Sequence, residues 1–365
     1  MPDRLWAPVR LPAGQAEQIV HEREPENMEV ALTHQDGWQT PASRFYLRNH
    51  FAYPETKRWE LRVEGEVERP FTMGLAELVR QPSTSLWMVL ECSGNKRSSM
   101  EPRPEGTPWR DGAVGNAQWT GVPLAALLNR AGLHHRAVEV RFSGADSGRF
   151  KETGEWTHFE RSLPLAEALK PGVLLAHGMN GDPLPRAHGG PVRLVVPRWY
   201  GMASVKWLVR IEVRSKPFRG PFQIRDYVYL PEPGAYDRAT PVTFGKENSV
   251  ITSPAPRTVV RPGRLTVRGL AWGGRAPLRQ VETSLDGGNR WVEARLVGPA
   301  APEAWRLWDF QIDNVPPGEY RVLARATNEA GESQPMKAPW NAKGYGNNAV
   351  AEASVTVTLR PTMWA

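Results

Sequence analysis

The sequence predicts an α+β domain over residues 1–235 followed by an all-β, immunoglobulin-like sandwich over residues 236–365. Three observations predict it. A chain of 365 residues is too long for one typical core. Up to about residue 230 it mixes short strand-like and helix-like runs, without the regular alternation of a doubly wound sheet. Beyond a Pro-dense stretch the texture changes to period-two strands separated by Gly and Pro turns.

The first forty residues are polar and Pro-punctuated, as in an arm that wraps a domain. Trp59 to Val63 alternates like a strand, Leu75 to Val79 reads as one short helix, and Ser85 to Glu91 is a compact strand that ends at Cys92. Pro123 to Ala131 reads as a helix, with Pro in its first turn and Gly132 as its stop. Val138–Phe142 and Val192–Val196 read as strands, and Leu165–Leu169 as a short helix broken by Pro171-Gly172. Pro231, Pro233, Pro241, Pro254, Pro256 and Pro262 mark a linker plus an edge segment. Val281, Thr283 and Leu285 then alternate with polar residues before the turn Asp286-Gly287-Gly288. Tyr320, Val322, Ala324 and Ala326 form a second alternating set, and Val355, Val357 and Leu359 a third.

Composition excludes several classes. Hydrophobic residues make up 40% and mean hydropathy is −0.48, and even the richest stretch, Val192 to Val213, carries Arg193, Arg198, Lys206 and Arg210, so no segment reads as a membrane span. Without a leader-like start, the expected compartment is the cytoplasm, or the periplasm if a leader has been removed. Net charge is +7, yet residues 240–365 hold 15 basic and 11 acidic residues against 31 and 28 elsewhere. Such dispersed charge argues against a nucleic-acid binder and suits a basic funnel for a small anion. A single cysteine excludes internal disulfides, Cys-rich zinc sites, iron–sulfur clusters and covalent c-type haem.

That cysteine, Cys92, closes the run Leu86-Trp87-Met88-Val89-Leu90 and opens Ser93-Gly94-Asn95-Lys96-Arg97. Two readings stay open: a buried thiol acting as a small hydrophobe, or a ligand or nucleophile. The neighbouring cations are expected to lower its pKa and favour thiolate, a soft ligand for a redox metal. A second cluster, Phe45-Tyr46-Leu47-Arg48-Asn49-His50, offers donors for phosphate or ring nitrogens. A third runs from Pro185-Arg186-Ala187-His188-Gly189 to Arg193, followed by Ser204-Val205-Lys206 and Asp226-Tyr227. Each alone is a weak signal, and taken alone the Arg48 cluster reads more readily as an ordinary polar loop.

Taken in order, these segments resemble the sulfite oxidase family, a group of molybdopterin-dependent oxidoreductases. The resemblance rests on Arg48-Asn49-His50, Cys92 to Arg97, Gly112 to Ala117, Met179-Asn180-Gly181, Leu184-Pro185-Arg186, His188-Gly189 and Val205 to Leu208. It continues through Val281 to Gly288 and Trp340-Asn341 to Asn348, covering roughly residues 24–358. It implies a molybdenum held by a pyranopterin dithiolene, with Cys92 as the one protein ligand. It also implies that Arg48, Asn49, His50, Asp146, His188, Arg193, Ser204 and Lys206 contact the cofactor. Arg48, Arg97, Trp109, Tyr227 and Lys343 are expected on the substrate side. Animal members carry an arginine where this chain has Lys343, which exchanges a planar fork for a point charge.

The implied activity is oxidation of sulfite to sulfate, with electrons passed to a separate cytochrome c-like carrier or to oxygen, since no haem domain is read in the chain. A homodimer through the second domain is expected. Two alternatives remain: a reductase of the same family acting on nitrate or an S- or N-oxide, and a non-catalytic binding protein whose tryptophans stack on sugars.

Overall fold

The structure, a computed structural model, describes residues 18–32 and 37–358. β1 (Gln18–Arg23) and β2 (Glu26–Val30) form an antiparallel hairpin, and this is the part of the predicted arm that is described. β3 (Glu60–Gly65) and β4 (Phe71–Gly74) lead into α1 (Leu75–Leu78). β5 (Thr84–Glu91) and β6 (Val114–Pro123) follow, then α2 (Leu124–Ala131). Leu124, Leu127, Leu128 and Ala131 bury one face of α2, and Gly132 ends it at φ 71°, where a side chain would be strained.

Next come β7 (Glu139–Arg149), β8 (Trp156–Pro164), α3 (Leu165–Ala168), β9 (Leu174–Met179), β10 (Asp182–Pro183), β11 (Arg193–Val195) and β12 (Leu208–Arg214). These make two five-stranded sheets. One runs β10-β9-β6-β5 with β11 also on β9; the other runs β4-β3-β12-β7-β8. Only the β3–β12 pair within them is parallel, as expected of an α+β rather than a doubly wound domain. The expected strands and helices of this region fall within a few residues of their observed bounds, except that the strand expected at Val138–Phe142 runs on to Arg149. β13 (Val228–Tyr229) pairs with β14 (Thr240–Pro241), and Val242 still packs in the core of these sheets.

From β15 (Asn248–Ser253) onward the chain is all strand: β16 (Thr258–Val260), β17 (Gly263–Trp272), β18 (Leu278–Ser284), β19 (Val292–Glu293), β20 (Arg295–Val297), β21 (Arg306–Val315), β22 (Gly318–Asn328) and β23 (Ala351–Val357). They form two sheets, β15-β17-β21-β20 and β16-β23-β22-β18-β19. Alternating residues Leu265, Val267, Val281, Val322, Ala324, Ala326, Val355 and Val357 meet Trp308 in a shared core, which is the sandwich that period-two patterning predicts. Leu359 of the third alternating set lies outside the described residues. Among the described residues, no helix is long and apolar enough to cross a membrane.

Candidate active site

A cleft opens beside the C-terminal end of β5. Its walls carry Arg48, Asn49, His50, Cys92, Ser93, Asp146, His188, Arg193, Ser204, Lys206 and Tyr227, with Phe45, Tyr46, Phe159 and Met202 between them. Residues from widely separated stretches of sequence therefore meet at one place.

The Arg48 stretch is placed by the N-terminal hairpin. Leu47 and Met28 exchange backbone hydrogen bonds of 2.9 and 3.0 Å. The Asn49 amide then donates to Asn27 Oδ1 at 2.7 Å, and Asn49 Nδ2 donates to the Glu26 carbonyl at 2.6 Å. Arg48 bonds the Asn49 carbonyl and lies 3.1 Å from a ring nitrogen of His50. Burial disfavours the Arg48 charge, but Tyr227, Cys92 and Asp226 outweigh it and its pKa ends above the ordinary value. His50 goes the other way: burial, with Arg48 and Lys206 nearby, holds it well below the usual range, so it is neutral. It shares a 2.8 Å hydrogen bond with the Tyr227 hydroxyl and stacks on Phe159.

Cys92 leaves β5 with its amide on the Ala113 carbonyl at 2.9 Å, and its own carbonyl accepts from Asn95 at 2.9 Å. The turn is closed by Lys96 at φ 61°. Its sulfur is buried among Phe45, Tyr46 and Leu90 yet reaches the cleft wall. Its pKa is raised, opposite to the lowering that the neighbouring cations in the sequence suggest. Burial raises it, and the opposing fields of Arg48 and Arg97 do not offset that. The cations are present, but their effect is smaller than the loss of water around the thiolate.

On the opposite wall, Arg193 is pinned by the carbonyls of His188 and Ser204, each at 2.8 Å, and the Ser204 hydroxyl accepts from the Val196 amide. His188 bonds the Ala42 carbonyl at 2.8 Å, and burial brings its pKa down to about 4. Lys206 donates to Asn49 Oδ1, and burial with two arginines near it lowers its pKa well below the ordinary lysine range. Asp146 sits where the β7–β8 pairing is interrupted between Ser143 and Ser147, an irregularity that turns a side chain inward. Burial holds its carboxyl well above the usual range despite Lys206.

The structure places three predicted residues outside the cleft wall. Arg97 lies behind it, bonded to the Lys343 and Thr107 carbonyls at 2.9 and 2.8 Å and seated over the Tyr345 ring. Trp109 is fully buried, edge-on to Tyr46, one layer back. Lys343 Nζ is tied to Glu152 at 2.6 Å. Sequence reasoning did not single out Ser93 and Phe159 on the wall, or Tyr345 behind it. Ser93 neighbours the cysteine, a usable signal; Phe159 and Tyr345 lie in strand or loop patterns that look structural.

The wall suits a pterin-bound metal on its own chemistry. Two buried polar atoms there, Ser93 Oγ and Asp146 Oδ1, have no hydrogen-bond partner, so they are free to meet groups brought by a ligand. The cations Arg48, Lys206 and Arg193 suit a phosphate, and one thiol suits a soft metal whose other donors come from the cofactor.

Comparison with known proteins agrees. The family model described as "Oxidoreductase molybdopterin binding domain" matches residues 50–222, and "Mo-co oxidoreductase dimerisation domain" matches 245–358; no haem domain falls within these matches. The mitochondrial sulfite oxidase of Macaca fascicularis is 37% identical over 94% of this chain and 65% of its own length, so the chain spans just under two-thirds of that relative. Sulfite oxidase of Gallus gallus is 38% identical over 85% of this chain and 71% of that protein. The solved sulfane dehydrogenase SoxCD of Paracoccus pantotrophus superposes with a TM-score of 0.81 at 28% identity, covering 97% of this chain and 95% of that one. The chain belongs to the sulfite oxidase family and carries that family's molybdopterin-binding and dimerisation domains.

Proposed function

We propose that the chain oxidises sulfite to sulfate at this cleft and passes two electrons to a separate acceptor, a cytochrome c-like carrier or oxygen. The observation that carries the reading is the meeting of the Cys92 sulfur with Arg48, His50 and Tyr227 on one wall and His188, Arg193 and Lys206 on the other. Cys92 would ligate the metal; Asn49, Asp146, His188, Arg193, Ser204 and Lys206 would hold the pterin and its phosphate. When bound, the molybdenum group supplies oxo transfer and the two-electron redox step.

The protein's share is placement and field. Arg48 offers a fixed cation to an incoming oxyanion, and the neutral His50 keeps the Tyr227 hydroxyl aimed into the cleft. Arg97 and Lys343 would act on the substrate from behind this wall. The two functional parts are proposed to divide near residues 235/236, the second mediating a homodimer.

The test is expression in a host that makes the cofactor. About one molybdenum per chain, with sulfite-dependent reduction of cytochrome c or consumption of oxygen, is expected. Metal-loaded protein that ignores sulfite but is reoxidised by nitrate would replace this reading with the reductase; purified protein that takes up no molybdenum would leave the binding module.

A further inference from the structure

Arg161, on β8, lies behind the cleft wall, against the far side of Tyr227. It is 1% exposed, and among the described residues no carboxylate lies within ion-pairing distance of it. Its guanidinium donates to the Phe222 carbonyl and, at 3.4 Å, to the Val242 carbonyl, while Nε has no partner. A buried charge without an ion-pair partner in contact is costly, and the carboxylates of Asp226 and Glu139 act on this one only from a distance. Burial lowers its pKa to about 10, which leaves it charged at neutral pH.

What it touches points to the cleft. Its Cζ lies 5.4 Å from the centre of the Tyr227 ring. Tyr227 is stacked with Tyr345 at 5.5 Å and 23°, and Arg97 Cζ lies 5.0 Å from the Tyr345 ring centre. Arg97, Tyr345, Tyr227 and Arg161 therefore form one run in which two phenol rings lie between two guanidiniums. The carbonyls that Arg161 holds, Phe222 and Val242, flank the Tyr227 segment on both sides along the chain. Phe222 also packs against His50 and Phe159, so the same clamp reaches the partner of the Tyr227 hydroxyl.

We propose that Arg161 is a positioning residue for oxyanion binding: it fixes Tyr227 from behind and supplies a buried positive charge that an anion in the cleft offsets. The idea rests on the reading of the cleft as an oxyanion site. Two unit charges roughly 10 Å apart, at an effective dielectric near 20, correspond to on the order of tenfold in a binding constant. Arg161 therefore acts on affinity, not on the redox step.

The experiment uses the metal-loaded full chain. Arg161→Met removes the charge at similar length, and Arg161→Lys keeps it. Sulfate binding is read by calorimetry, which needs no turnover, alongside KM and kcat for sulfite. Expected are sulfate binding weakened about tenfold in Arg161→Met, a parallel rise in KM, kcat within about twofold and molybdenum content unchanged, with Arg161→Lys close to the parent. Equal sulfate affinity in Arg161→Met and the parent would overturn the proposal. So would recovery of Arg161→Met and Arg161→Gln only as unfolded chains while Arg161→Lys behaves as the parent, since that assigns the residue to stability alone. If the parent binds sulfate but does not oxidise sulfite, the proposed reaction fails while the sulfate comparison still decides the role of Arg161.

Discussion

Cys92 shows how far a residue's neighbours in sequence differ from its neighbours in space. Lys96 and Arg97 lie within five residues, yet burial outweighs them and the thiol is raised, not lowered. Lys96 is itself turned away, to Asn248 at 2.5 Å and the Ser249 carbonyl at 3.0 Å. Cys92→Ser is expected to keep the fold, because the replacement is nearly isosteric, and to reduce sulfite oxidation to background, because a hydroxyl is a poor soft-metal ligand. Circular dichroism with activity on the loaded protein checks both halves; retained turnover would remove Cys92 from the metal. His188 gives a pH prediction. Its folded pKa of about 4 lies below the ordinary 6.5, so the unfolded chain binds a proton first as pH falls. Its contribution is complete above pH 6.5 and is lost towards pH 4, on the order of 3 kcal/mol. Glu91, raised to about 7, titrates with the opposite sign: its burial cost grows as pH rises from 4.5 to 7. The two partly cancel in the parent, and His188→Gln should be relatively more stable at pH 5 than at pH 8 in urea unfolding. A parent–variant difference that is flat with pH would contradict the assignment.

At the scale of elements, each wall of the cleft is a short turn held by hydrogen bonds to another element. The turn carrying His188 ends at Gly189, φ 101°, where an added Cβ would come within 2.8 Å of the Lys206 Cβ. Gly189→Ala is therefore expected to cost about 1–3 kcal/mol and to lower cofactor content, because Lys206 must move. Gly154→Ala is the control: it has a positive φ but nothing within 4 Å, so it should strain the backbone without touching the cleft. Equal molybdenum content in the two variants would show that Lys206 does not depend on this approach. Helix α2 and strand β5 were legible because each carries its own periodicity, whereas the inward turn at Asp146 was not, since a break in strand pairing leaves no repeat to read.

At the scale of the whole molecule, the sandwich does more than follow the first domain. Trp272 of β17 donates to Glu91 at 3.0 Å, directly beside Cys92, and Asn347 bonds the Lys96 carbonyl at 2.8 Å. Tyr345 reaches Asp226 at 3.2 Å and stacks on Tyr227. The second domain thus backs the cysteine turn and the tyrosine wall. Light scattering of the purified full chain should give twice 40.8 kDa, and a species of 40.8 kDa would remove the dimer.

The sequence alone determined the two-part α+β and sandwich architecture, because strand and helix periodicities are local and survive in any window of ten residues. It also determined the family and the single cysteine, because ordered short motifs persist where residue types are chemically constrained. Only the tertiary structure decided which charges face the cleft. It kept Arg97, Trp109 and Lys343 off the cleft wall, brought Tyr345 and Arg161 up to Tyr227, and raised the thiol's pKa by burial. Desolvation and long-range contact belong to the packed molecule, and no stretch of sequence carries them by itself.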